Sequence, residues 1–114
     1  MNAVEQRFRT ELLDLIAECK MLKYNPSRFS QMIGAKPFEA VQSLLNASET
    51  SDGFGTLFQL KRLDLSVEAV VLKPEWRECF TQAERDSARR RLADAGYKAP
   101  WDNGDASPGA EGPT

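Results

Sequence analysis

Apolar residues recur at helical spacing along most of the chain. Over residues 3 to 22, Val4, Phe8, Leu12, Leu15, Ile16 and Cys19 return every three or four positions. Glu5, Arg9, Glu11, Asp14 and Glu18 cover much of the remaining surface, and no Gly or Pro interrupts the run. That period predicts one long amphipathic helix. In "KYNPSRFSQMIG", Asn25 is a suitable N-cap and Pro26 suits the first helical position, where a missing N–H costs nothing. Phe29, Met32 and Ile33 then form a short apolar stripe, and Gly34 is the expected stop. Pro37 opens a further segment with Phe38, Val41, Leu44 and Leu45 on one side, and "NASETSDG" reads as a loop. Phe54, Leu57, Phe58 and Leu60 resume the helical pattern, with Gly55 weakening it by about 1 kcal/mol relative to Ala.

The stretch "RLDLSVEAVVLKPEW" fits two periods. Leu63, Leu65, Val67, Ala69 and Val71 alternate with polar residues as in a half-buried strand, whereas Leu60, Leu63, Val67, Val70 and Val71 recur at helical spacing. The chain offers no convincing partner strand, and an isolated strand is not stable. Asp64 and Ser66 are both N-cap residue types, and Glu68 falls where a helix dipole favours an acid. The run "AVVL" would need a sheet covered on both faces. The expectation is a short, deeply buried helix over residues 66 to 73, ended by Pro74, with a single turn carrying Trp76 and Phe80.

"TQAERDSARRRLADAGY" is the clearest local signal. Thr81 and Glu84 make a capping box, Gly96 is a C-terminal stop, and Ala88, Leu92 and Ala95 give a narrow apolar stripe. From Lys98 the composition turns to Gly, Pro, Ser and acid. Such a segment buries too little surface to offset its ordering. These patterns predict an all-α fold, a compact orthogonal bundle of five or six mostly short helices over residues 1 to 97. A disordered acidic tail is expected over 98 to 114, with Trp101 its one residue suited to local docking. The predicted core is Phe8, Leu12, Phe29, Phe38, Leu57, Phe58, Val67, Val70, Leu72 and Trp76.

Composition narrows the chemistry. The net charge of −2 comes wholly from the tail, because residues 1 to 97 hold 14 Lys+Arg and 14 Asp+Glu. A neutral body argues against general duplex binding. There is no histidine, which removes Ser-His-Asp and Cys-His catalysis within the chain. Cys19 and Cys79 lack the spacing of a zinc site and read as thiols in a reduced compartment, with one disulfide as the alternative. The first twenty residues show no apolar signal core, and no run approaches the roughly 18 apolar residues of a membrane span. A cytoplasmic protein without cofactor or metal is expected.

In order along the chain stand Tyr24-Asn25-Pro26, Arg28-Phe29, Gly53-Phe54, Leu57, "RLDLSVE" from Arg62 to Glu68, Trp76, Phe80-Thr81 and Glu84. This pattern resembles a small bacterial helical protein family with YNP and RLDLSVE-type motifs, over about residues 22 to 97. The resemblance implies a bacterial or phage setting and an independently folding helical unit. It attaches no catalytic residue, cofactor or substrate.

Three clusters are candidates for function. Asp64, Glu68, Glu75 and Glu78 have the residue types of a metal site, but capping, the helix dipole and solvent account for them. Arg85, Arg89, Arg90 and Arg91 form a basic patch on the last helix, suited to an acidic protein surface or to nucleic acid. Asp86, at i+3 and i+4 from Arg89 and Arg90, accounts for part of it. Asp102, Asp105 and Glu111 follow on the tail and are expected to cover Arg89, Arg90 and Arg91 until a partner displaces them. Tyr24, Arg28, Lys61 and Arg62 flank helix starts, and Tyr and Arg are common binding hot spots. Arg62 is also placed to pair with Asp64. No Ser or Cys has a base beside it in sequence. The expected function is a small non-enzymatic binding or regulatory protein acting through a protein partner, in bacterial or phage defence or counter-defence. The alternative is a nucleic-acid-associated module using the arginine helix.

Overall fold

In a computed structural model the protein is all-α, with no strand among the described residues, which are 2–34 and 36–102. Six α-helices follow one another: α1 Ala3–Met21, α2 Ser27–Ile33, α3 Pro37–Leu45, α4 Asp52–Gln59, α5 Val67–Val70 and α6 Gln82–Asp94. Two 3-10 segments, Leu63–Leu65 and Pro74–Cys79, flank α5.

Local chemistry sets most of the ends. Asn2 and Glu5 form a capping box on α1, as Thr81 and Glu84 do on α6. Ser51 and Ser66 cap α4 and α5 by accepting from Phe54 N–H and Ala69 N–H. At α2 the expectation is off by one residue. Pro26 itself occupies the cap position at ψ 65°, outside the helical region, and the helix begins at Ser27 with no side-chain cap. Three helices end in the same way. Tyr24 N–H reaches Cys19 O at 3.0 Å, Arg62 N–H reaches Leu57 O at 2.9 Å, and Tyr97 N–H reaches Leu92 O at 2.9 Å. Each such Schellman closure needs a left-handed residue just before the donor. Gly96 fills that position at φ 76°, but Lys23 and Lys61 adopt it at 66° and 60°.

The ambiguous stretch is helical, and continuous burial explains why it fits two periods. Every residue from Leu63 to Leu72 is buried except Asp64, which is half-buried. A segment wrapped on all sides has no solvent face to impose a period. The α-helical part is one turn, shorter than expected, and Asp64 does not cap it.

Phe8 lies at the centre, stacked on Phe38 at 4.5 Å and edge-on to Trp76 at 4.9 Å, with Phe80 at 5.6 Å. α3 packs against α1, α2 and α6, and α5 packs against α6. Glu11 ties α1 to the second 3-10 segment, accepting from the Trp76 indole at 3.0 Å and from Lys73 at 2.6 Å. The expected core is found with one exception and two partial members. Phe29 and Phe38 are half-buried against it. Phe58 is 51% exposed, because it lies 100° round the helix from buried Leu57. Ile33, Leu45 and Leu92, each on an expected apolar stripe, and Phe80 join the core as well.

The packed body runs past the boundary expected at residue 97. Ala99 is buried, and the Trp101 indole donates to Ala69 O at 2.7 Å. Buried Asp102 accepts two bonds from Arg89, at 2.8 and 3.0 Å. The docking of Trp101 and the cover that Asp102 gives Arg89 were expected as local contacts; the burial of Ala99 and Asp102 that makes the segment part of the body was not. The remainder of the expected tail, residues 103 to 114, lies outside the described residues. No helix among the described residues is long and apolar enough to cross a membrane.

Candidate functional site

The basic patch on α6 is largely spent on the protein itself. Arg85 is buried, and its guanidinium donates to the carbonyls of Arg77 and Phe80 and to Gln82 Oε1 at 3.3 Å. Arg89 bridges Asp86 at 3.0 Å and Asp102. Arg91 closes the C-terminal end of α3, donating to Leu44 O at 3.0 Å, Leu45 O at 3.3 Å and Ala47 O at 2.6 Å. It also pairs with Glu68 at 3.1 Å, its side chain 10% exposed and that of Glu68 3%. Arg90 alone of the four is exposed, and no ion pair to it is found among the described residues. The four arginines therefore do not form one open basic face.

Arg62 pairs with Asp64 through two hydrogen bonds, at 3.0 and 3.2 Å. That bond, more than any other influence, raises the guanidinium's pKa. Of the acidic candidates, Asp64 and Glu68 are thus held by different arginines. Among the described residues no group of three or more His, Cys, Asp or Glu is placed to hold a metal ion. Cys19 and Cys79 are free thiols, the first buried and the second half-buried.

Tyr24 and Arg28 stand elsewhere, on a cleft of about 520 Å³. Its lining comes from five stretches of chain: Leu15 and Cys19 of α1, the Tyr24–Pro26 connection, Arg28, Phe29 and Met32 of α2, Ser51 to Phe54 with Leu57, and Leu65 to Glu68. Leu44 of α3 completes it. The walls are mostly apolar. Met32 is 39% exposed at the opening, and Arg28 is exposed. Tyr24 lies over the start of α4. A methyl group added at Gly53 would stand 2.7 Å from the Tyr24 hydroxyl oxygen, so only glycine leaves the ring where it is.

Burial raises the pKa of three groups that line the cleft. Burial pushes the Cys19 thiol up, with Arg62 opposing. Burial likewise pushes the Tyr24 phenol up, aided by Cys19 and Asp52. Glu68 is pushed up by burial against the opposing pull of its backbone hydrogen bond and of Arg91. A thiol kept protonated is a poor nucleophile. The arrangement suits apolar recognition with a few polar groups at the edge, the usual build of a binding cleft.

Sequence reasoning singled out Tyr24 and Arg28 but not Phe29, Met32, Gly53, Phe54, Ser66 or Val67 as their companions. The signal was present in the motifs. The segment from "YNP" to Arg28-Phe29, Gly53-Phe54 and the end of "RLDLSVE" are far apart in sequence, and the fold gathers them around this one cleft. The position of Arg62 on the same motif was misleading, since Arg62 does not line it. No family model, no curated protein and no solved structure matches the chain.

Proposed function

We propose that the protein is a small non-enzymatic binding or regulatory module that acts through a protein partner, which docks an apolar side chain in the α2–α4 cleft. The observation that carries this reading is the convergence of Tyr24, Arg28, Phe29, Gly53 and Phe54 on a cleft with apolar walls and a polar edge. Aromatic and arginine side chains around a desolvated pocket are what binding hot spots are made of. The neutral states of Cys19 and Tyr24 favour binding over covalent chemistry at this site. A defence or counter-defence role rests on the sequence resemblance alone. The nucleic-acid alternative draws less support, because duplex binding uses several free cations, and Arg85, Arg89 and Arg91 are engaged within the fold.

The test is partner capture from extracts of the native host with folded variants, checked by circular dichroism. Met32→Asp places a charge at the mouth of the cleft. Gly53→Ala displaces Tyr24 while favouring the helix locally. Both should reduce capture of the same protein at least tenfold, and Arg90→Ala should leave it unchanged. Loss with Arg90→Ala and retention with Met32→Asp would return the function to α6.

A further inference from the structure

α1 has a second face. Phe8, Leu12, Leu15, Ile16 and Cys19 are buried on one side. Opposite them, Gln6, Thr10, Leu13, Ala17 and Met21 follow at spacings of four, three, four and four, and all five are exposed, Met21 by 79%. At 100° per residue they lie within about 80° of arc. None is charged, although charged residues crowd both edges of the stripe: Arg9 and Lys20 on one, Arg7, Asp14 and Glu18 on the other. The stripe carries two large apolar residues, so it does not register as a heptad seam in the sequence. It becomes visible once the buried face is known.

We propose that this face binds the same face of a second copy of the chain, the two α1 helices running antiparallel about a two-fold axis near Leu13. In such a pair each edge meets its own counterpart with direction reversed. Glu18 then falls opposite Arg7 of the second copy, a contact that occurs twice. A parallel pair aligns the two helix dipoles unfavourably. Asp14 lies nearest the axis and faces Asp14 of the second copy, a like-charge contact that limits affinity. The cleft, lined by Leu15 and Cys19 of the buried side, stays open in this pairing.

Sedimentation velocity on the full chain from micromolar to millimolar concentration tests this, with circular dichroism confirming each variant is folded. The wild type should show reversible monomer–dimer behaviour, and Leu13→Asp should abolish it. Asp14→Asn removes the like-charge contact and should tighten the dimer about two- to fivefold. A misfolded variant cannot mimic that gain. Glu18→Lys should weaken the dimer, and the exchange Arg7→Glu with Glu18→Lys should restore it. A wild type monomeric throughout overturns the proposal, as does a dimer indifferent to Leu13→Asp. A dimer unaffected by Asp14→Asn and not restored by the charge exchange overturns the antiparallel pairing. None of these outcomes depends on the cleft.

Discussion

Glu68 is an acid almost wholly removed from water, with one strong partner. Its pKa lies above its ordinary value near 4.5 because burial outweighs the pull of Arg91. The folded state therefore holds the Glu68 proton more tightly than the unfolded chain does. Its charge opposes folding above the raised pKa, and that opposition is relieved as pH falls through the raised value toward the ordinary one. Urea unfolding of the wild type and of Glu68→Gln at a series of pH values tests the sign. The stability of the wild type relative to the variant should increase on acidification through this window. A decrease would mean that Arg91 dominates. Trp101 is a second residue whose role depends on one partner. Trp101→Ala removes the bond to Ala69 O and the packing of Lys73, whose ammonium lies 4.9 Å from the ring centroid. The expected loss is about 1–3 kcal/mol, read as a lower urea midpoint. A midpoint unchanged within error would show that the segment after Tyr97 does not support the body.

At the scale of the elements, the helices are short and their ends matter. α2, α3 and α4 have 7, 9 and 8 residues, lengths at which an isolated helix is marginal in water. Side-chain and Schellman closures therefore contribute a large share of each helix's definition. Lys61 sits in the left-handed position after α4 at φ 60°, where a side chain other than that of Asn or Gly is strained. Lys61→Gly should stabilise by about 0.5–1 kcal/mol, the relief of strain exceeding the added entropy of the unfolded chain. The denaturation midpoint should rise with an unchanged slope. A fall would show that the Lys61 side chain makes a stabilising contact. The position joins α4 to Arg62 and Asp64, so the gain should leave the cleft's binding unchanged.

Over the whole molecule, polar groups and aromatic rings do different work. Phe8, Phe38, Trp76 and Phe80 form a contiguous aromatic cluster that unites α1, α3 and the second 3-10 segment. Around it, Glu11, Glu68, Arg85, Arg89 and Arg91 add polar ties between elements. This explains how a 114-residue chain with 41% apolar residues closes around many short helices. The arginines are fitted to carbonyls that helix ends leave free and to buried or half-buried carboxylates.

Much of the architecture was legible along the chain, and for a local reason. The capping box at Thr81 and Glu84, the stop at Gly96, the opening at Pro37 and the helical period of α1 involve groups within four residues of one another. Their partners are named by residues close in sequence, although packing is needed to stabilise them. Helical character for Leu63 to Leu72 could be argued from cap residues and from the absence of a partner strand. Its true form, a 3-10 turn followed by one α-turn, could not, because burial on all sides erased the solvent-facing period. Arg62 and Asp64 are two residues apart, and their pairing was foreseen. Asp102 was likewise expected over Arg89, 13 residues away. Other pairings span longer distances: Glu68 to Arg91 over 23 residues, Trp101 to Ala69 over 32 and Trp76 to Glu11 over 65. The sequence by itself determined that this is an all-α protein and which residue types carry charge and aromatic surface. Only the tertiary structure decided which arginines remain free and which scattered motif residues share a cleft, since both depend on contacts that exist only when distant helices pack.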